Sequence, residues 1–127
     1  TVTRLTDEGL IVEVFDLPDA PLFTGDAEPT GILRDVVASV AEVFRLAPNS
    51  IAVQGHVASV PVVSRENPVW SLSSDRADAV RLLLVNASLD EERMQRVTGF
   101  ADRQPVSGNP LSIRNNRIEI ILLRSRL

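Results

Sequence analysis

Side chains alternate between two faces along residues 9–16, and this period of two predicts a β-strand. Its faces would be lined by Leu10, Val12 and Val14 on one side and by Ile11, Glu13 and Phe15 on the other. Further strands are predicted at 50–54, 96–100 and 117–124. The last of these is apolar on both faces except at Glu119, a pattern typical of a central strand in a sheet.

A helical period of three to four residues replaces the alternation in two segments. The first helix is predicted from an N-cap at Thr30 to about residue 46, with an apolar stripe of Ile32, Leu33, Val36, Val37, Val40, Val43 and Phe44. The second is predicted to begin at a Ser71 or Ser73 cap, which places Arg76 in its first turn, and to end near residue 87. Its inner stripe consists of Ala77, Val80, Leu83, Leu84 and Ala87, and residues 89–93 form one more short helical turn.

The elements follow one another as strand, helix, strand, helix, strand, strand, which predicts an α/β fold of the α+β sandwich type. Two amphipathic helices need a sheet to cover, so we expect both on one face of a mixed sheet. Strands joined by a helix should run parallel, whereas the last connection lacks a predicted helix and should lead to an antiparallel neighbour. At 127 residues the chain is predicted to be one domain, with an N-terminal strand and loop at 1–28 and a core at 29–127.

Composition narrows the classes of function. An apolar fraction of 44% and a mean hydropathy of +0.09 are typical of a globular domain. The net charge of −4 argues against nucleic-acid binding, and the absence of cysteine excludes disulfides, thiol nucleophiles and zinc–thiolate sites. No apolar run reaches membrane-spanning length. The chain begins with Thr1 rather than methionine, so we expect a piece of a longer protein whose membrane anchor lies elsewhere.

Candidate chemistry concentrates where the strand at 50–54 runs into a Gly55-His56 turn and meets the predicted start of the second helix. A strand end that faces a helix N-terminus forms a compact polar cleft, and Arg76 there is suited to grip a carboxylate. No serine–histidine–acid arrangement, phosphate loop or cluster of metal ligands accompanies it, so we predict a binding domain without a cofactor rather than an enzyme. The alternative for this arginine is a surface ion pair with Asp75, Asp78 or Glu66.

Three further side chains have competing interpretations. His56 is the only histidine, and a hydrogen-bonded structural role at the strand end is the simpler one, with proton sensing as the alternative. Glu119 is expected to form an ion pair with Arg117 or another arginine rather than to act in catalysis. Trp70 is interpreted as a packing residue, and the alternative is stacking on a sugar ring.

Five short motifs, in this order, resemble the OmpA C-terminal domain family. They are Phe-Thr-Gly-Asp-Ala at 23–27, the strand end Gln-Gly-His at 54–56, Trp-Ser-Leu-Ser-Ser-Asp-Arg-Ala at 70–77, Thr-Gly-Phe-Ala-Asp-Arg-Gln-Pro at 98–105 and Asn-Asn-Arg-Ile-Glu-Ile at 115–120. The resemblance spans nearly the whole chain. Trp70 and His56 make the chain similar to the branch of the family found in flagellar stators.

The resemblance implies binding to peptidoglycan, usually at a diaminopimelate end of the stem peptide. By the family's pattern, Arg76 would bind the ligand carboxylate, and Asn115, Arg117 and His56 would lie near the same groove. A strand cap and a solvated side chain are the alternative for Asn115 and Arg117. The resemblance also implies a homodimeric periplasmic domain of a single-pass inner-membrane protein, which would meet its stator partner subunit through the transmembrane segment.

The chain departs from the family's pattern at four positions. Where the family has Gly-His-Thr-Asp, His56 is followed by Val57 and Ala58, so the aspartate that would meet the ligand's ammonium is absent. Val69 and Asn116 stand in place of an asparagine and an arginine. A lost charge-assisted hydrogen bond costs about 1.5–3 kcal/mol, roughly one to two decades of affinity. Two alternatives to wall anchoring stay open: a scaffold that acts through protein–protein contacts, or an OmpA-like domain of another envelope protein.

Overall fold

The computed structural model describes residues 2–17, 19–24, 27–57, 68–100 and 116–124. A short 3₁₀ turn at Glu91–Arg93 confirms the helical turn predicted there. The strands and helices of the described residues are β1 (Val2–Leu5), β2 (Gly9–Phe15), β3 (Phe23–Thr24), β4 (Glu28–Pro29), α1 (Gly31–Phe44), β5 (Ile51–His56), α2 (Pro68–Asn86), β6 (Met94–Gly99) and β7 (Arg117–Leu123).

Five of these strands form one mixed sheet in the order β1-β2-β7-β5-β6. The central position predicted for the last strand is confirmed, because β7 lies between β2 and β5 and is antiparallel to both. β5 and β6, which are joined through α2, run parallel as predicted. The antiparallel pairing expected between β6 and β7 is wrong, because β5 lies between these two strands and β6 is at the sheet edge.

Both helices pack on one face of the sheet, as predicted, and share one apolar core with it. Alternate positions of the same strands point to the opposite face, where Ile11, Ala52 and Ile121 form a smaller apolar cluster. Within the described ranges, neither helix is long and apolar enough to cross a membrane. The main core includes Val12, Val14, Leu33, Val37, Phe44, Ile51, Val53, Val80, Leu84, Ile118 and Ile120.

α1 begins at its predicted N-cap. The Thr30 hydroxyl accepts a 3.4 Å hydrogen bond from the Leu33 amide, which satisfies one of the unpaired donors of the first turn. The buried stripe is narrower than predicted, because Ile32 and Val43 are 50% and 56% exposed. An apolar cavity of about 410 Å³ lies between α1 and the strands β1 and β2. Val43 is one of the residues that line it.

The predicted start of α2 is wrong. The helix begins at Pro68, so Ser71 and Ser73 lie inside it rather than capping it, and Ser73 is fully buried. Arg76 consequently lies about two turns into the helix and not in the first turn. Proline suits the first helical position, because its missing N–H would have had no partner there. The serine pattern obscured this earlier start.

Three short strands escaped prediction. Every residue of β1 is exposed, so this strand has no alternation of buried and exposed positions to detect. β3 and β4 pair over only two residues each, within a segment predicted to be a loop. The predicted connections at 55–69 and 101–113 fall largely outside the described residues, although β5 extends to His56 and so takes up the start of the first.

Candidate functional site

α2 crosses the carboxyl ends of β5 and β6 at very short range. A Cβ added at Gly55 would lie 2.2 Å from the carbonyl oxygen of Ser73, and one added at Gly99 would lie 2.5 Å from the amide nitrogen of Ser74. Only glycine allows a helix to approach two strands so closely. This contact sets the position of the next turn of α2, which carries Arg76.

The guanidinium of Arg76 lies over an aromatic ring. Its guanidinium carbon Cζ lies 4.9 Å from the ring centroid of Phe23, within the range of a cation–π interaction. Phe23 is buried, whereas the Arg76 side chain is partly exposed. A guanidinium uses its flat face for a ring and its N–H edge for hydrogen bonds, so stacking does not compete with carboxylate binding.

The loop that carries Phe23 is fixed by hydrogen bonds from two directions. The Leu22 amide donates to Oδ1 of Asp16 at 2.8 Å, and the Leu22 carbonyl accepts from the Thr30 amide at 2.9 Å. The other carboxylate oxygen of Asp16 accepts a 3.1 Å hydrogen bond from the Asn116 side chain. Asn116, which stands in place of an arginine of the family's pattern, therefore helps to hold this loop.

A second polar cluster lies on the face of the sheet opposite the helices. Arg4 donates to Oε2 of Glu13 at 2.6 Å and to Oε2 of Glu119 at 2.7 Å. These two glutamates are directly opposed on β2 and β7, and their side chains are 2% and 6% exposed. Two buried carboxylates at such positions would repel each other, which is energetically unfavourable. Arg4 of the edge strand β1 reduces this repulsion by pairing with both carboxylates.

His56 completes this ion cluster at the end of β5. It is buried opposite Arg117, and its Nε2 lies 2.6 Å from Oε1 of Glu119. This pair is a close polar contact that does not meet the geometry of a hydrogen bond. Within the described part of the chain, Nδ1 has no hydrogen-bond partner. The ring of Phe100 stacks parallel on the imidazole with centroids 5.1 Å apart.

The electrostatics of the cluster favour the ionised forms of Glu119 and Arg4. Burial raises the pKa of Glu119, but the contacts with His56, Arg117 and Arg4 outweigh burial and hold that pKa below its ordinary range. The hydrogen bond to Glu13 and the nearby charge of Glu119 exceed the effect of desolvation and raise the pKa of the Arg4 guanidinium. The ion pair predicted for Glu119 is thus confirmed, with Arg4 at closer range than Arg117, whose Nη2 lies 4.0 Å away.

The structure gives the predicted ligand residues different surroundings. His56 and Arg117 pair in register within the ion cluster, and each is at least nine-tenths buried. Arg76 stacks on Phe23 at the other face of the sheet, where the helices lie. Asn115 lies outside the described residues, as do Ala58 and Glu66.

Several important residues were not predicted as part of a site. Glu13 had a signal, since it alternates with the apolar Ile11 and Phe15 on one strand face. Arg4 had no such signal in the sequence, because buried and exposed positions do not alternate along β1. The sequence marks Phe23 as an apolar residue that holds the loop before α1 and as part of a motif, with no sign of its contact with Arg76. No group of three histidines or acids among the described residues is placed to hold a metal ion.

The chain belongs to the OmpA family, whose model matches residues 30–119. Motility protein B of Escherichia coli K12 is 34% identical over 126 residues, which cover 96% of this chain and 41% of that protein. The truncated flagellar export/assembly protein LafU of the same strain is 31% identical over 122 residues, covering 94% of this chain and 58% of that protein. The chain thus spans about two fifths to three fifths of the length of these relatives.

Solved structures agree on the fold. The periplasmic domain of Helicobacter pylori MotB superposes with a TM-score of 0.79 at 20% identity, covering 98% of this chain and 82% of that one. The cell wall anchor of the type VI secretion system of Pseudomonas aeruginosa gives 0.79 at 24% identity, with 98% and 87% covered. The mixed sheet with two helices is therefore the OmpA-like fold, and the chain is a MotB-like domain of that family.

Proposed function

We propose that this domain anchors the stator of a flagellar motor to peptidoglycan, so that ion flow through the stator can turn the rotor. Membership of the OmpA family and 34% identity to Motility protein B support the proposal. The structural observation that carries it is the partly exposed Arg76, seated on Phe23 beside the tightly packed turn of α2.

In this proposal, Arg76 meets the carboxylate at a diaminopimelate end of the wall peptide. A guanidinium presents parallel N–H donors that match the two oxygens of a carboxylate, and such charge-assisted bonds are about twice as strong as neutral ones. Asn115, Arg117 and His56 remain predicted members of the same groove. The burial of His56 and Arg117 favours a supporting role for these two, in which they shape the sheet beneath the ligand.

The wider protein follows from the same proposal. The domain would be the periplasmic part of a single-pass inner-membrane protein, and a MotA-like stator subunit would be its partner through the transmembrane segment. We expect the domain to form a homodimer and to act by binding rather than by catalysis, without a cofactor. The net charge of −4 supports an absence of nucleic-acid partners.

One observation favours a second candidate function, a scaffold that binds protein partners and holds the wall weakly. Val57 occupies the position of the family's threonine, and it is 3% exposed and packed against Leu72. An apolar contact has therefore taken the place of a polar group beside the proposed groove. Ala58 also lacks the carboxylate that would meet the ligand's ammonium.

Sedimentation with purified diaminopimelate-type sacculi tests the first proposal. We expect the wild-type domain to sediment and Arg76→Ala to bind at least tenfold more weakly, since about 1.5–3 kcal/mol is lost with a charged hydrogen bond. Arg81→Ala is the matched control, because it removes another arginine of the same helix, whose side chain contacts Asp78 at 2.8 Å and Glu91 at 3.0 Å. Thermal unfolding of each variant confirms that it is folded.

The outcomes separate the two candidates. A wild-type domain that stays in the supernatant argues for the scaffold. Equal sedimentation of wild type, Arg76→Ala and Arg81→Ala would retain wall binding but remove Arg76 as its contact.

A further inference from the structure

We propose that Phe23 positions Arg76 for the wall carboxylate, so that a buried ring raises ligand affinity without touching the ligand. This inference rests on the proposed function, because it takes Arg76 as the carboxylate contact. Its starting observation is the 4.9 Å distance between Cζ of Arg76 and the ring centroid of Phe23.

Stacking would act by restricting the arginine before the ligand arrives. An arginine side chain carries a large rotamer entropy, and part of it is lost when the guanidinium is held for binding. The apparent affinity of a site falls in proportion to the fraction of molecules in the competent conformation. A ring that keeps the guanidinium in one place increases that fraction.

The ring can serve as such a support because it is itself held. Phe23 is only 7% exposed and pairs with Pro29 in the β3–β4 hairpin. The preceding residue, Leu22, is bonded through its amide to Asp16 and through its carbonyl to Thr30. The support is thus tied to β2 and to the start of α1, whereas the arginine comes from α2.

The geometry also explains why the role falls to an aromatic residue. An aliphatic side chain could fill the same volume in the core, but only a ring face attracts a cation through its quadrupole. The guanidinium and the ring belong to segments more than fifty residues apart, so the stack also joins the loop before α1 to α2 at the proposed site.

The test compares two phenylalanine-to-leucine substitutions in the same core. We expect Phe23→Leu to raise the apparent Kd for isolated sacculi about two- to fivefold, the size of a partly exposed cation–π interaction. Phe44→Leu is the matched control, since Phe44 is 1% exposed in the same apolar core and should lower thermal stability without changing the Kd. Phe23→Tyr keeps the ring face and should bind like wild type.

Two readouts distinguish positioning from a general loss of structure. In an Arg76→Ala background, Phe23→Leu should cause no further loss of binding, because the ring acts through the arginine. In the proton NMR spectrum of the wild-type domain, the δ-methylene protons of Arg76 should be shifted upfield by the ring current of Phe23. This shift should be absent from the spectrum of Phe23→Leu and present in that of Phe44→Leu.

The results overturn the inference in recognisable ways. If Phe23→Leu loses the ring-current shift but binds sacculi like wild type, the ring does not position the arginine. An equal loss in Phe23→Leu and Phe44→Leu would show a purely structural effect. If Arg76→Ala itself binds like wild type, the proposed function of Arg76 fails and the positioning role fails with it, whatever the spectra show.

Discussion

Arg4 and Glu119 stand 115 residues apart in the chain and are joined by a hydrogen bond of 2.7 Å. The bond passes over β2 and links the edge strand β1 to the central strand β7. The same guanidinium also holds Glu13, so one half-exposed cation serves two buried carboxylates. The apolar central strand β7 therefore contains a buried negative charge, Glu119, which Arg4 of the N-terminal strand β1 helps to neutralise.

Removal of Arg4 should destabilise the fold. We expect Arg4→Ala to lower the free energy of unfolding by about 1.5–3 kcal/mol, since charge-assisted bonds to two buried carboxylates are lost while water can reach the exposed side. Urea denaturation at neutral pH measures the change. Arg34→Ala is the control, because Arg34 and Glu28 form an exposed pair at 3.3 Å that should contribute at most about 1 kcal/mol. Similar losses in both variants would contradict a special role for Arg4.

The lowered pKa of Glu119 predicts an acid dependence of stability. A depressed folded-state pKa means that the unfolded state takes up the proton first as pH falls, so stability declines from the unfolded pKa down through the folded one. We expect the free energy of unfolding to decline as the pH falls below about 5, with a smaller slope in Glu119→Gln. Arg4, His56, Arg117 and Glu13 face this carboxylate and are kept unchanged.

Urea titrations at several acidic pH values give this slope. Glu42→Gln, a substitution at an exposed position of α1, should retain the wild-type slope. A slope that is the same in wild type and Glu119→Gln would show that other carboxyls govern the acid transition.

A methyl group at Gly55 should disturb the packing of α2. The added Cβ would meet the Ser73 carbonyl oxygen at 2.2 Å, so we expect Gly55→Ala to lower the free energy of unfolding by about 1–3 kcal/mol. Gly31→Ala is the matched control, because nothing lies within 4 Å of its added Cβ and alanine favours the helix by up to about 1 kcal/mol. Calorimetry of the two variants should give opposite changes in Tm, and an unchanged Tm in Gly55→Ala would show that α2 can move away without loss.

The sequence predicted the fold well where burial is periodic. The strand at 9–16, the cap at Thr30 and the central position of 117–124 are all confirmed, because each depends on a local pattern that the core requires. Caps at Ser71 or Ser73 would start α2 about one to two turns later than the helix begins. Serines inside a helix look like caps in a linear sequence, and only the approach of α2 to Gly55 shows why Ser73 is buried instead.

The candidate site was only partly predictable. Its motif predicts Arg76 as the carboxylate contact, and the same resemblance implies peptidoglycan as the ligand; both stay predictions. The contact of that arginine with Phe23 could not be inferred, because Phe23 lies in the short strand β3, and the preceding Leu22 is held by hydrogen bonds to Asp16 and Thr30. Contacts between segments far apart in the chain leave no local period to detect.

Taken by itself, the chain determined which segments become helices and central strands, since alternation and helical spacing are properties of neighbours along a sequence. It also determined the family, through motifs that survive in order. The tertiary structure alone decided that β1 closes the sheet edge, that Arg4 neutralises Glu13 and Glu119, and that the Arg76 guanidinium rests on a ring. Ion pairs and cation–π contacts form between segments that the folded core brings together. Their interaction energies depend on distance and burial rather than on spacing along the chain.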